Sequence, residues 1–170
     1  MTLTIRDARA ADRAAIEAVT LAAYEQYATV LAAPLWEAYR QNIVTTLTSV
    51  TPATQIVAEK EGALVGSVLL YPAGGDMRVP GGGKATTLAW PEVRLLAVTP
   101  AARGSGAGRR LMEECIRRGR AAGATALTLH TTDMMRVAMK LYERMGFERA
   151  PDLDFSPAPG ITVKGYKLAL

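Results

Sequence analysis

The run with the most evident chemical potential is Arg103-Gly104-Ser105-Gly106-Ala107-Gly108-Arg109-Arg110. Glycine at 104, 106 and 108 lets the backbone turn tightly and come close to a ligand. A helix opening just after such a turn presents free N–H groups and a partial positive charge, which together bind phosphate. Residues 103–120 hold six arginines and two glutamates, a local excess equal to the whole chain's net charge of +4. An anionic ligand would therefore meet both an N–H cradle and a positive field. The bland alternative is a plain glycine-rich turn ahead of a solvated, arginine-rich helix face.

Two familiar phosphate loops fit poorly. A Walker loop needs Gly-x-x-x-x-Gly-Lys followed by Ser or Thr, and that string does not occur. A dinucleotide fingerprint needs Gly-x-Gly-x-x-Gly directly after a strand, with an acid about twenty residues on. Gly104 and Gly106 supply the first two glycines and Asp133 lies past the next strand, but Arg109 stands at the third. Thr99-Pro100-Ala101-Ala102 also separates strand from loop.

The elements that must position this loop read as follows. Leu3 and Ile5 alternate with polar neighbours in a first strand, and Asp12 is a candidate cap for a helix carrying Ile16, Val19, Ala23, Tyr24 and Tyr27. Pro34 suits the first turn of a second helix, faced by Trp36, Tyr39, Ile43 and Leu47. Residues 55–58 and 64–71 flank Glu61-Gly62 as a hairpin. Residues 73–84, with five glycines and Pro80, predict a mobile loop. Strand 93–98, helix 107–122 and strand 126–130 then form a β-α-β unit with parallel strands. Leu111, Met112, Cys115, Ile116 and Gly119 make the inner stripe of its helix. A helix over 134–145 places Val137, Ala138, Leu141, Tyr142 and Met145 on one side and ends at Gly146. Residues 151–160 read as a Pro- and Asp-containing loop, and 161–168 as a last strand. The fold class is α/β, with a mixed, mostly antiparallel, splayed sheet around that central unit.

With the elements in place, residues 92–147 resemble the GNAT superfamily of acyl-CoA-dependent N-acetyltransferases. The first match is Leu96-Ala97-Val98-Thr99-Pro100-Ala101-Ala102-Arg103-Gly104-Ser105-Gly106-Ala107-Gly108-Arg109-Arg110-Leu111, which is similar to the family's strand, proline and Arg/Gln-x-x-Gly-x-Gly/Ala pyrophosphate loop. The second is Ala138-Met139-Lys140-Leu141-Tyr142-Glu143-Arg144-Met145-Gly146-Phe147, similar to Ala-x-x-Leu-Tyr-x-x-x-Gly-Phe. Met135 stands where the family often has an asparagine that touches the pantetheine.

The resemblance implies a division of labour. Backbone N–H groups from Arg103, Gly104, Ser105, Gly106, Ala107, Gly108 and Arg109 would hold the coenzyme A pyrophosphate. The edge of Leu96, Ala97 and Val98 would pair with the pantetheine arm as an added strand, since its two amides need partners. An N–H there would polarise the thioester carbonyl. Ala138 belongs to the same coenzyme contact. Tyr142 is the candidate general acid, a phenol placed to protonate the departing thiolate; its alternative is an aromatic on a helix's inner face. Glu92 is the candidate general base, acting through water; its alternative is an ordinary strand-end acid. Asp133 reads as a cap for the helix from Met134. Met134, Met135 and Met139 suggest an adaptable apolar wall, with Met145 as core. Cys115 reads as a buried apolar group, and His130, with no partner visible in sequence, as structural. Tyr24, Tyr27, Trp36 and Tyr39 belong to the region that often shapes the acceptor pocket, although such stripes are commonly core. Residues 73–84 and 151–160 are candidates to close over an acceptor.

Composition sets the outer bounds. The chain has 170 residues, 49% hydrophobic and 21% charged, enough for one domain to bury a core without metal or disulfide. One cysteine and one histidine exclude an internal disulfide and make a Cys- or His-based metal site untenable. The uncharged stretch 41–58 is too polar to span a membrane, and the start carries no signal pattern. The expectation is a cytoplasmic acyl-CoA N-acyltransferase domain over 1–170. It would take acetyl-CoA as co-substrate and a small-molecule or peptide amine as acceptor, with no metal, nucleic acid or membrane; a homodimer is the family-level expectation. A non-catalytic acyl-CoA-binding or sensing module and a dinucleotide-dependent reductase are the competing readings.

Overall fold

Each element forms where its side chains bury one face. The computed structural model describes residues 2–77 and 86–170. Strand β1 (Leu3–Asp7) precedes a 3-10 turn and helix α1 (Arg13–Tyr24). Along α1 the buried residues are Ile16, Val19, Thr20, Ala23 and Tyr24, the spacing of one helical stripe. The helix tightens into a 3-10 turn over Glu25–Thr29, and α2 follows as Ala33–Thr48 with Pro34 in its first turn. Strands β2 (Thr54–Lys60) and β3 (Ala63–Tyr71) form the expected hairpin. Its turn has φ of 53° at Glu61 and 79° at Gly62, two left-handed residues that match the twist of the strands they join.

Two-residue strands β4 (Asp76–Met77) and β5 (Thr86–Thr87) pair with each other. Most of the loop predicted over 73–84 lies outside the described residues. Then come β6 (Glu92–Val98), α3 (Ala107–Ala121), β7 (Ala126–Thr131), α4 (Arg136–Arg144), β8 (Glu148–Arg149), β9 (Phe155–Ala158) and β10 (Ile161–Ala169). The class is α/β, with a mixed, mostly antiparallel sheet of eight strands.

The chain divides into two compact units: Met1–Leu70 with Leu95–Cys115, and Tyr71–Arg94 with Ile116–Leu170. In the first, β1, β2, β3 and the end of β6 follow one another across the sheet. Its core includes Ile43, Ile56, Val57, Val68, Leu69, Leu111, Met112 and Cys115, so the inner stripe of α3 is where its periodicity put it. Gly66 on β3 permits a close approach: a Cβ there would stand 3.0 Å from both the Ala97 carbonyl oxygen and Leu111 Cδ1. In the second, the start of β6 runs parallel to β7, which pairs antiparallel with β10, and β10 also carries β8 and β9. Leu127, Leu129, Tyr142, Phe147 and Tyr166 are buried there.

Four expectations are corrected. Asp12 makes no side-chain cap on α1; its carboxylate accepts the Arg9 N–H and pairs with Arg6, closing the preceding turn instead. Residues 151–160 are more than loop: Pro151–Leu153 form a 3-10 turn and β9 pairs with β10. Helix α4 begins at Arg136, two residues later than predicted, with Met135 at its N-cap position and no side-chain cap. Val137 is 80% exposed, because the inward stripe of this nine-residue helix is centred on Tyr142 and Val137 falls off its flank.

Candidate active site

The first unit holds the glycine-rich loop and the strand before it. After Thr99, residues Pro100–Ala102 make one 3-10 turn, and the amides of Ala102, Arg103 and Ser105 bond back onto it. Gly104 and Gly106 have φ of 79° and 85°, the left-handed region that glycine enters without strain. A Cβ at either would meet nothing within 4 Å, so backbone conformation and not crowding selects glycine here. The first bond of α3 runs from the Arg110 N–H to the Gly106 carbonyl. By helix geometry the amides of Ala107, Gly108 and Arg109 then lack an intrahelical acceptor. The Ser105 hydroxyl lies 3.4 Å from the first of them. Residues 103–106 are exposed. This is a set of N–H donors at the positive end of a helix, chemistry that accepts phosphate oxygens.

The arginines around the loop have separate tasks. Arg103 Nη2 donates to the Ala23 carbonyl at 3.2 Å, a cation at the C-terminal end of α1. Arg110 donates to the Leu3 carbonyl, and Arg109 pairs with Glu113 at 2.8 Å on the exposed face of α3. Their charges still contribute to the local field.

Strand β6 is not regular. Leu95 has a φ of 50°, a left-handed conformation rare for a branched side chain in mid-strand. The parallel register with β7 runs through Glu92 and Val93, and the strained residue follows two positions later. Its consequence is to re-aim the backbone of Leu96, Ala97 and Val98. On that re-aimed stretch the Leu96 carbonyl accepts the Tyr24 hydroxyl at 3.3 Å, and the Thr99 N–H reaches the Val65 carbonyl at 2.9 Å. Tyr24 also leads an aromatic cluster, 5.9 Å from Tyr27 and 6.0 Å from Tyr39, with Trp36 6.3 Å from Tyr39. Tyr24 is buried while the other three are half-buried. Burial lifts the Tyr27 phenol above its ordinary range, partly opposed by the charge of Arg103.

The second unit holds the candidate acid and base. Tyr142 is buried on α4, one turn beyond half-buried Ala138, its ring in edge contact with Phe147 at 6.0 Å. Glu92 opens β6 and is only 3% exposed. Its Oε1 lies 2.9 Å from His130 Nδ1 and its Oε2 3.4 Å from the Thr128 hydroxyl. His130 therefore has a partner that the sequence did not show, and a second one: Nε2 lies 2.8 Å from the Leu153 carbonyl oxygen. The Phe155 ring meets the imidazole edge-on at 5.3 Å. Burial alone would lower the imidazole's pKa, but the hydrogen bond and charge of Glu92 outweigh it and hold the value above its ordinary one.

Asp133 does not cap α4; its side chain is largely exposed and pairs with Lys164 on β10. Met134, Met135, Met139 and Met145 are each half-buried. Sequence reasoning missed Leu95, Gly66 and Leu153. Nothing in Leu95-Leu96-Ala97-Val98 marks a left-handed residue, whereas the glycine in 64–71 was a visible signal for Gly66, since glycine inside a strand often marks a close backbone approach.

Three comparisons bear on this arrangement. Residues 14–147 match the model of the acetyltransferase (GNAT) family. Over 69 residues the chain is 41% identical to the IAA acetyltransferase of Azospirillum brasilense; that stretch is 40% of this chain and 45% of the relative, so it spans under half of the relative's length. Among solved structures, the PaiA N-acetyltransferase of Thermoplasma acidophilum in complex with coenzyme A superposes with a TM-score of 0.71 at 14% identity, covering 99% of this chain and 100% of that one. A GNAT family acetyltransferase of Brucella melitensis in complex with acetyl-CoA superposes with a TM-score of 0.61 at 24% identity, covering 99% and 88%.

Proposed function

The chain belongs to the acetyltransferase (GNAT) family and is an acyltransferase, and from that premise we propose that it moves an acetyl group from acetyl-CoA to a primary amine by direct attack in a ternary complex, as one domain over 1–170 acting in the cytoplasm. The observation that carries this reading is the pair of left-handed glycines, Gly104 and Gly106, that opens the first turn of α3 as a donor cradle. Backbone amides within 103–109 take the pyrophosphate of the coenzyme, those of Ala107, Gly108 and Arg109 foremost, because the Arg103 and Ser105 N–H groups already bond to the Pro100 and Ala102 carbonyls. The re-aimed stretch Leu96, Ala97 and Val98 takes the pantetheine amides, and one of its N–H groups polarises the thioester carbonyl, where charge develops as the amine attacks. Ala138 adds a small apolar contact to the coenzyme. Tyr142 gives its phenolic proton to the sulfur as the C–S bond breaks, so that a thiol leaves and not a thiolate. The attacking nitrogen keeps the acetyl group and passes one proton to water, and the Tyr142 phenolate takes one back from water, so the sum is amide plus free thiol. The carboxylate of Glu92, the candidate general base, is already engaged by His130.

The amine is a small molecule or a peptide terminus. A screen of primary amines with acetyl-CoA, read by release of free thiol, tests the proposal. Acetyl transfer to at least one amine, abolished without acetyl-CoA, is the expected result. Tight coenzyme A binding with no thiol release across the panel would instead leave a binding module.

A further inference from the structure

Both ring nitrogens of His130 face acceptors. The Leu153 carbonyl, 2.8 Å from Nε2, has no proton to give, so Nε2 carries a hydrogen and donates it. Nδ1 is 2.9 Å from Glu92 Oε1. A ring protonated only at Nε2 would turn its lone pair on a carboxylate at that distance, which is repulsive. One more proton must lie between Nδ1 and Oε1. Against burial, the Glu92 carboxylate, by hydrogen bond and charge, holds the ring's pKa above its ordinary value, so that proton belongs to the ring.

The charged groups around the ring are accounted for. Arg94, on the same strand as Glu92, opposes the ring's charge. Asp154, on the segment that covers the ring, favours it and stays ionised, held down to about 2 first by Arg149 and then by the Gly165 N–H. Arg149 is paired with Asp154, and Lys164 of β10 with Asp133. Thr128 offers only a hydroxyl near Oε2.

We infer that Glu92 is a positioning residue that acts through His130: it keeps the ring an imidazolium, whose Nε2–H fastens the 151–158 segment at the Leu153 carbonyl. Beside the β9–β10 pairing, the segment is also held by Asp154 on Arg149 and the Gly165 N–H, so His130 and Asp154 pin it at adjacent residues. That the pinned segment borders the amine rests on the acetyl-transfer reading; the protonation state of His130 does not. The clasp is whole below the ordinary histidine value and weakens as pH rises through the ring's raised one, because the neutral ring then turns a lone pair or loses its donor.

The test needs neither coenzyme nor amine, so its failure is separable from failure of the proposed function. The chain has one histidine, so a nitrogen-resolved NMR titration of selectively labelled protein reads His130 alone. Both ring nitrogens protonated at pH 7 is the expected result; a neutral ring there overturns the inference. In E92Q the side-chain amide can donate to a bare Nδ1, so the ring is expected neutral at pH 7 with its hydrogen on Nε2. An E92Q ring that titrates as in the parent would also overturn it. Amide exchange at Leu153, Asp154 and Phe155, corrected for intrinsic rate, reads the clasp itself. E92A is expected to speed it by about tenfold or more, the size of one lost charge-assisted hydrogen bond, and E92Q, whose neutral ring still donates from Nε2, to speed it by less. Equal exchange in E92A and the parent refutes the clasp.

Discussion

Tyr142 and Tyr24 are both buried tyrosines, yet they are assigned opposite kinds of work. Tyr142 is given the moving proton, so Y142F should lower kcat by about 10²-fold, the lower range for a lost general acid, with coenzyme affinity close to the parent's. Single-turnover thiol release beside a coenzyme binding isotherm checks this; an undiminished rate removes Tyr142 from the chemistry. Tyr24 holds a fixed proton, donated to the Leu96 carbonyl. Y24F should therefore cost stability of about 0.5–1.5 kcal/mol, read by denaturant unfolding. It should also weaken coenzyme binding, because the carbonyl it releases sits on the stretch proposed to meet the pantetheine. Tyr142 was legible because its neighbours spell a motif. Tyr24 was legible only as an aromatic in a stripe, since its partner is 72 positions away.

Two glycine substitutions separate the ways in which elements use that residue. Gly66 lies under the Ala97 carbonyl, a backbone atom that cannot swing aside. G66A should destabilise by about 1–3 kcal/mol, as overpacking does. Gly106 has open space around it and needs glycine only for its φ. G106A should cost about 1–2 kcal/mol through the left-handed conformation, and its larger effect should fall on coenzyme affinity, since relaxing that φ turns the donor cradle away. Calorimetry of unfolding with and without coenzyme A distinguishes the two: a G106A protein that binds coenzyme as the parent does would contradict the loop's role. The same scale shows where pattern reading stops. The Glu61-Gly62 turn and α3 were legible because local chemistry and periodicity agree on them. Strands β8 and β9 were not, because two and four residues carry too little alternation, and their pairing is decided by the distant partner β10.

Linked equilibria are properties of the whole folded chain. Asp12 and Asp154 are both held down to about 2, first by hydrogen bonds from Arg6 and Arg149 respectively. Their native-state stabilisation is present above the ordinary aspartate value and is lost as pH falls toward 2. His130 has the opposite sign: its raised value stabilises below the ordinary histidine value and is lost as pH rises through the folded one. Thermal midpoints should thus fall on both sides, and E92Q should flatten the alkaline fall while D154N flattens the acid one. A ligand that binds only the native state also raises the midpoint. Acetyl-CoA at a hundredfold excess over its dissociation constant should add about 2.7 kcal/mol. NADPH at the same concentration should shift it far less; an equal or larger shift would favour the reductase reading.

The amino-acid sequence determined by itself whatever depends on neighbours along the chain. The β-α-β order, the inner stripe of α3, the hairpin turn, the donor-rich loop 103–109 and the motif around Tyr142 are all of this kind, because backbone propensity and helical or strand periodicity act over a few residues. Tertiary structure alone decided what depends on residues far apart. Leu95 takes a left-handed φ that nothing in its local sequence asks for. Asp12 and Asp133 left the caps their positions suggested because arginine and lysine on other elements offered stronger charge-assisted partners. Glu92, His130 and Leu153, separated by 38 and 23 positions, share their hydrogen bonds only once β6, β7 and the 151–153 turn are assembled. A titrating proton is shared through space, and no local pattern records it.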